Sequence, residues 1–145
     1  MNEDILTTRR ITDAIARSYY GKGDGVLREF RLKVRRRVDL ITMTNKGLIT
    51  IIEIKSSPED FRSDRKWGEH IEWADRFYFG VGDNFPIDIP PKEHGIIITD
   101  GFDCHEARPS PLNKLNGSRR NTLVRNMAKA SMRRIEHERN DLLNS

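Results

Sequence analysis

The chain has 145 residues, 36% hydrophobic and 33% charged, with six Phe, two Trp and three Tyr; this suits one compact domain with its own core and argues against wholesale disorder. A single cysteine, Cys104, excludes an internal disulfide and suits a reducing, cytoplasmic setting. The opening MNEDILTTRR lacks the apolar run of a secretory signal, so none is expected, and stretches such as Leu48–Ile54 fall far short of the ~20 residues of a membrane helix. The net charge of +4 is unevenly spread. Residues 1–38 carry ten Lys/Arg against five Asp/Glu, residues 39–106 seven against fourteen, and residues 107–145 nine against three. A cationic periphery around an acidic centre suits a protein that grips a polyanion at its edges and a metal in its middle, although ordinary solvated faces would give the same counts.

Taken in chain order, Ile11, Ala14, Ile15 and Tyr19 recur at helical spacing, and Gly21 and Gly23 stop that helix. Val26–Lys33, Val38–Thr44 and Leu48–Ser56 read as strands, the last two joined by Asn45-Lys46-Gly47 with glycine where a left-handed residue is wanted. Ser57 can cap a helix that has Pro58 in its first position, runs toward Arg65 and restarts near Gly68, carrying Ile71 inward. Arg76–Gly82 alternates, Phe77, Phe79 and Val81 on one face and Tyr78 and Gly80 on the other. Asn84–His94 is a loop, Gly95–Asp100 a short strand, Asp103–Ala107 a candidate partner for it, Arg108–Ser118 a loop, and Asn121–Arg139 a basic final helix. The expected plan is a single α/β domain, a central mixed sheet flanked by helices.

The chemistry concentrates in Val38-Asp39-Leu40 and Ile52-Glu53-Ile54-Lys55. Alternation puts Glu53 and Lys55 on one face and Ile52 and Ile54 on the other. If Thr44 and Leu48 close the three-residue loop, Asp39 stands directly opposite Glu53, with Cβ atoms about 5 Å apart. Two carboxylates that close repel unless a proton or a cation lies between them. A divalent cation is the simplest guest, and oxygen donors favour Mg²⁺ or Mn²⁺. A structural salt bridge among Asp39, Glu53 and Lys55 is the plainer alternative. His70, His94, His105 and His137 are scattered without ligand spacing and read as surface residues. Asp60 and Asp64, four apart, suit ion pairing, and Trp67 and Trp73 suit core anchors.

A helix, a hairpin carrying Asp39, then Glu53-Ile54-Lys55, a helix and a strand resembles the PD-(D/E)XK nuclease superfamily, with Val38 standing where that pattern has Pro. Arg36-Arg37-Val38-Asp39, Ile52-Glu53-Ile54-Lys55-Ser56-Ser57, Asp60-Phe61-Arg62, Asp64-Arg65-Lys66-Trp67 and Ala74-Asp75-Arg76-Phe77-Tyr78-Phe79 together resemble the MmcB-like family of DNA repair endonucleases, over about Ile11 to Ile135. The resemblance implies a restriction-endonuclease-like core and metal-dependent hydrolysis of DNA, with Asp39 and Glu53 holding Mg²⁺ or Mn²⁺ and Lys55 acting on the attacking water and the phosphate. It offers Glu29 as an upstream acidic member, the alternative being an ordinary exposed strand glutamate; Arg35, Arg36 and Arg37, a run beside Asp39, with Lys66, are candidate DNA contacts, the alternative for the run being a solvated stretch. DNA is the expected partner; since many proteins of that fold act as dimers, the resemblance also leaves room for a homodimer and for repair-protein partners. The rival readings are a non-catalytic module for damaged or branched DNA and an ion-paired fold that binds a protein.

Overall fold

The computed structural model describes residues 6–32, 36–64 and 67–145. In chain order its elements are α1 (Thr8–Gly21), β1 (Gly25–Arg31), β2 (Arg37–Met43), β3 (Ile49–Lys55), α2 (Pro58–Ser63), α3 (Gly68–Ile71), β4 (Arg76–Gly82), β5 (Gly95–Thr99), β6 (Cys104–Arg108) and α4 (Gly117–Leu143). The six strands form one sheet in the order β1-β2-β3-β4-β5-β6. β1–β2–β3 is antiparallel, β3–β4–β5 parallel, and β6 returns antiparallel to β5. This is the mixed α/β sheet expected from the sequence. Among the described residues no helix is long and apolar enough to cross a membrane.

Alternation along the strands divides the core into two layers. Ile41, Ile49, Ile51, Phe77, Phe79, Val81 and Ile96 face Trp73, Ala74 and, on α4, Leu123 and Met127. Leu40, Ile52, Ile54, Tyr78 and Ile97 face Ile11, Ile15 and Ala16 of α1. β3 has all seven residues buried, as a central strand covered on both faces should. α1 lies close on the sheet because Gly80 lacks a side chain: a Cβ there would stand 2.5 Å from Cδ1 of Ile15.

The hairpin sets the register of the site. Gly47 takes φ +82°, and the Thr44 N–H donates to the Leu48 carbonyl at 3.0 Å. The ladder pairs Leu40 with Ile52, Ile41 with Ile51, Thr42 with Thr50 and Met43 with Ile49. The paired ladder ends at Leu40 and Ile52, and beyond it the Asp39 side chain, rather than a backbone carbonyl, takes the Ile54 N–H. Ser57 caps α2, its hydroxyl accepting from the Asp60 N–H at 3.1 Å, with Pro58 next. α2 ends at Ser63, before the expected Arg65, and Asp64 is already extended at φ −94°, ψ 115°. The final helix is longer than expected, because Asn116 caps it by accepting from the Arg119 N–H at 2.8 Å. Its 27 residues span about 40 Å, and toward its end Met132, Ile135, Leu142 and Leu143 are exposed.

Asp75 fastens the hairpin to the rest of the molecule. Its side chain accepts from the N–H groups of Ile49 (2.7 Å) and Leu115 (2.9 Å) and from both terminal nitrogens of Arg120 (2.8 and 2.5 Å). Arg120 also donates to the Gly47 carbonyl at 2.7 Å. Four charge-assisted bonds hold this buried carboxylate below the ordinary range despite the cost of burial.

Candidate active site

Asp39, Glu53 and Lys55 meet in a cleft of about 430 Å³ at the end of β3, lined also by Thr8, Arg36, Arg37, Ile54, Asp60, Asp64 and His70. A roomier hollow of about 580 Å³ runs along α4, lined by that helix alone, and its lining holds one carboxylate, Glu136, among bases. The charged members of the first cleft are unusual in their burial. Glu53 is 5% exposed and Lys55 4%, although an ionised group away from water is costly unless paired.

Each buried charge has a neighbour, but the pairing is incomplete. Nζ of Lys55 lies 2.6 Å from Oδ2 of Asp64, so Asp64 pairs with the strand lysine after leaving α2. Oδ2 of Asp39 accepts from the Ile54 N–H at 2.7 Å, a bond that fixes the carboxylate across the hairpin. Burial first, and then the charge of Glu53, push the Asp39 carboxyl up to about 6. Oδ2 of Asp60 accepts from the Ser56 N–H at 3.2 Å, which ties the end of β3 to α2. At the rim, Nε of Arg36 donates to Oε2 of Glu69 at 2.7 Å, and Arg37 is exposed.

His70, which its sequence context places on the surface, is instead 4% exposed and stands inside the cleft. Its Nδ1 is 2.9 Å from Oε1 of Glu53, out of hydrogen-bond alignment. Within the described residues, Oε1 of Glu53 and both ring nitrogens of His70 have no hydrogen-bond partner. α3, which carries His70, has four residues, too few to show a period. The usable signal is its position three after Trp67, which packs among Phe61, Phe77 and Phe79.

The other expected positions divide. Arg36 and Arg37 reach the cleft, while Arg35 and Lys66 lie outside the described residues. Glu29 is exposed and is not brought into the cleft. Its backbone takes φ +49°, the left-handed region, in the middle of a strand that pairs on both sides of it, Arg28 with Leu40 and Phe30 with Val38. The Glu29 carbonyl accepts from Arg134 of α4 at 3.0 Å. The tryptophans are packing residues: Trp73 is buried in the core, and Trp67 lies against its edge.

The donor set is compatible with Mg²⁺ or Mn²⁺. Two carboxylates, Asp39 and Glu53, line the same cleft, and Oε1 of Glu53 has no hydrogen-bond partner among the described residues. Among the described residues no group of three or more His, Cys, Asp or Glu side chains forms a ready metal cage, and Mg²⁺ is commonly held by one or two carboxylates, with water and phosphate completing its shell.

A family model described as "DNA repair protein MmcB-like" matches residues 2–141. The chain belongs to the MmcB-like family. Among solved structures, this MmcB-like protein is similar to a protein of unknown function from Silicibacter pomeroyi, with 34% identity, a TM-score of 0.85 and 94% of each chain covered. No curated protein matches the MmcB-like chain significantly.

Proposed function

We propose that this protein is a divalent-metal-dependent deoxyribonuclease of DNA repair, built on the PD-(D/E)XK pattern. The observation that carries the reading is the meeting of Asp39, Glu53 and Lys55 in one cleft, with the Asp39 carboxyl raised by burial and by its neighbour, and Glu53 Oε1 unpartnered. Asp39 and Glu53 would hold Mg²⁺ or Mn²⁺. The cation, when bound, acts as a Lewis acid toward water and the scissile phosphate. Lys55 presents its ammonium on the same face as Glu53, where negative charge on the phosphate grows during cleavage. Its bond to Asp64 keeps that ammonium in place. Arg36 and Arg37 stand at the rim, where guanidinium groups grip phosphates without reading sequence.

The direct test is incubation of the protein with labelled duplex, single-stranded and branched DNA in Mg²⁺, Mn²⁺ or EDTA. Cleavage that needs the cation and disappears in Asp39→Asn and Glu53→Gln is the expected result. Absence of cleavage from every DNA form with either metal would favour the second reading, a non-catalytic DNA-binding repair module. That module reading draws on the rim arginines, which serve binding and cleavage equally.

The rim also makes a quantitative prediction. Replacing Arg36 and Arg37 together by Ala should weaken DNA binding to a similar degree on all sequences. The dependence of log K on log salt should flatten by about one unit for each phosphate that the protein no longer neutralises. An unchanged slope, measured by fluorescence anisotropy across a salt series, would place the nucleic acid elsewhere.

A further inference from the structure

We propose that His70 supplies a nitrogen ligand beside Glu53, so that this centre favours a nitrogen-accepting first-row transition cation such as Mn²⁺ or Co²⁺ over Mg²⁺; the inference rests on the metal-dependent reading of the cleft. Three observations support it. His70 is 4% exposed, and neither ring nitrogen has a hydrogen-bond partner among the described residues. Burying a polar group without a partner costs on the order of 1–3 kcal/mol, so a buried imidazole with both nitrogens unpaired calls for a guest. Its Nδ1 also lies 2.9 Å from Oε1 of Glu53, itself unpaired. A simple ion pair would direct an N–H along that line, and here the alignment fails. Two cis ligands at about 2.1 Å from an octahedral ion stand about 3 Å apart, which matches the observed separation.

The third observation is the place of the imidazole. It enters the cleft that holds Asp39 and Lys55, from α3, while Glu53 comes from β3. Asp39 is occupied on Oδ2 by the Ile54 N–H, so the least committed pair of donors is one oxygen and one nitrogen. Carboxylate and water oxygens alone suit Mg²⁺, whereas an added imidazole strengthens binding along the series from Mn²⁺ through Co²⁺.

The test uses the intact chain and the metals alone. Pulsed electron paramagnetic resonance of the Mn²⁺-loaded protein should show coupling to an imidazole ¹⁴N, and that coupling should vanish in His70→Gln. By calorimetry, wild type should bind Co²⁺ and Mn²⁺ at least about tenfold more tightly than Mg²⁺. His70→Gln should lose most of that preference while keeping Mg²⁺ affinity within about twofold. If Mn²⁺ binds without ¹⁴N coupling and with equal affinity in both proteins, His70 is not a ligand, yet the carboxylate centre stands. An equal loss of both metals in the variant, with no ¹⁴N signal in wild type, would make His70 a packing residue only. If wild type binds no divalent cation, this proposal and the metal-dependent reading both fall. The spectrum of wild type decides the question even if His70→Gln does not fold.

Discussion

Replacing Lys55 by Ala is expected to slow DNA cleavage by about 10²–10³ while leaving DNA affinity within a few-fold of wild type. A cation aimed at the scissile phosphate matters most when charge builds there, and least in the ground state. Lys55 suits that role because it is fixed: it is 4% exposed, on the central strand, with Nζ 2.6 Å from Asp64. The same burial makes its removal a risk to folding, since it takes a cation from a cleft that also holds Asp39, Glu53, Asp60 and Asp64. Lys55→Met keeps the apolar stem and serves as the second variant, with circular dichroism confirming the fold of each. Single-turnover cleavage and equilibrium binding then separate the two effects. Equal rates in wild type and both variants would move the chemistry away from Lys55. A parallel loss of binding and rate would make it a binding residue.

The second large effect concerns stability. Asp75→Ala should cost about 3–5 kcal/mol, because it leaves the Arg120 guanidinium and the Ile49 and Leu115 N–H groups without their acceptor. Against a total of about 5–15 kcal/mol for an ordinary domain, that is a large share, visible as a lower urea midpoint. The pH dependence has a definite sign. The Asp75 carboxyl is held below the ordinary aspartate value in the folded protein. Its stabilisation is therefore complete above the unfolded value of about 3.9 and is lost as pH falls through the lower folded value. The difference between wild type and Asp75→Ala should be constant near neutrality and shrink below about pH 4. A difference that persists unchanged into strong acid would show that packing, not the carboxylate, is what Asp75 contributes.

The legible part of this molecule is the part written in local chemistry. A three-residue loop with Gly47 in the left-handed region fixes the hairpin register from Met43–Ile49 to Leu40–Ile52, and beyond the ladder Asp39 and Glu53 line one cleft. Alternation assigns Phe77, Phe79 and Val81 to one core layer and Tyr78 to the other. What escapes depends on packing without a local pattern. Asp75 and Arg120 are 45 positions apart and come together only through the fold. His70 sits on a single turn, where no periodicity marks its inward face. Asp60 and Asp64 are spaced for one helical face, but the chain leaves the helix at Ser63 and directs Asp64 to Lys55. Glu29 fits a regular strand in the sequence, and a left-handed backbone residue is not legible there.

The clasp at Asp75 also joins segments that lie far apart along the chain. The hairpin that bears Asp39 and Glu53 is complete by Lys55, but the acceptor for the Ile49 N–H arrives at residue 75 and the guanidinium that closes it arrives at residue 120. Leu123 and Met127, which cover the same face of the sheet, come later still. The site-bearing strands therefore depend for part of their hold on residues far along the chain. Contacts of such long sequence separation are gained only after the intervening loops close, so the clasp ties the site-bearing hairpin to the docking of α4.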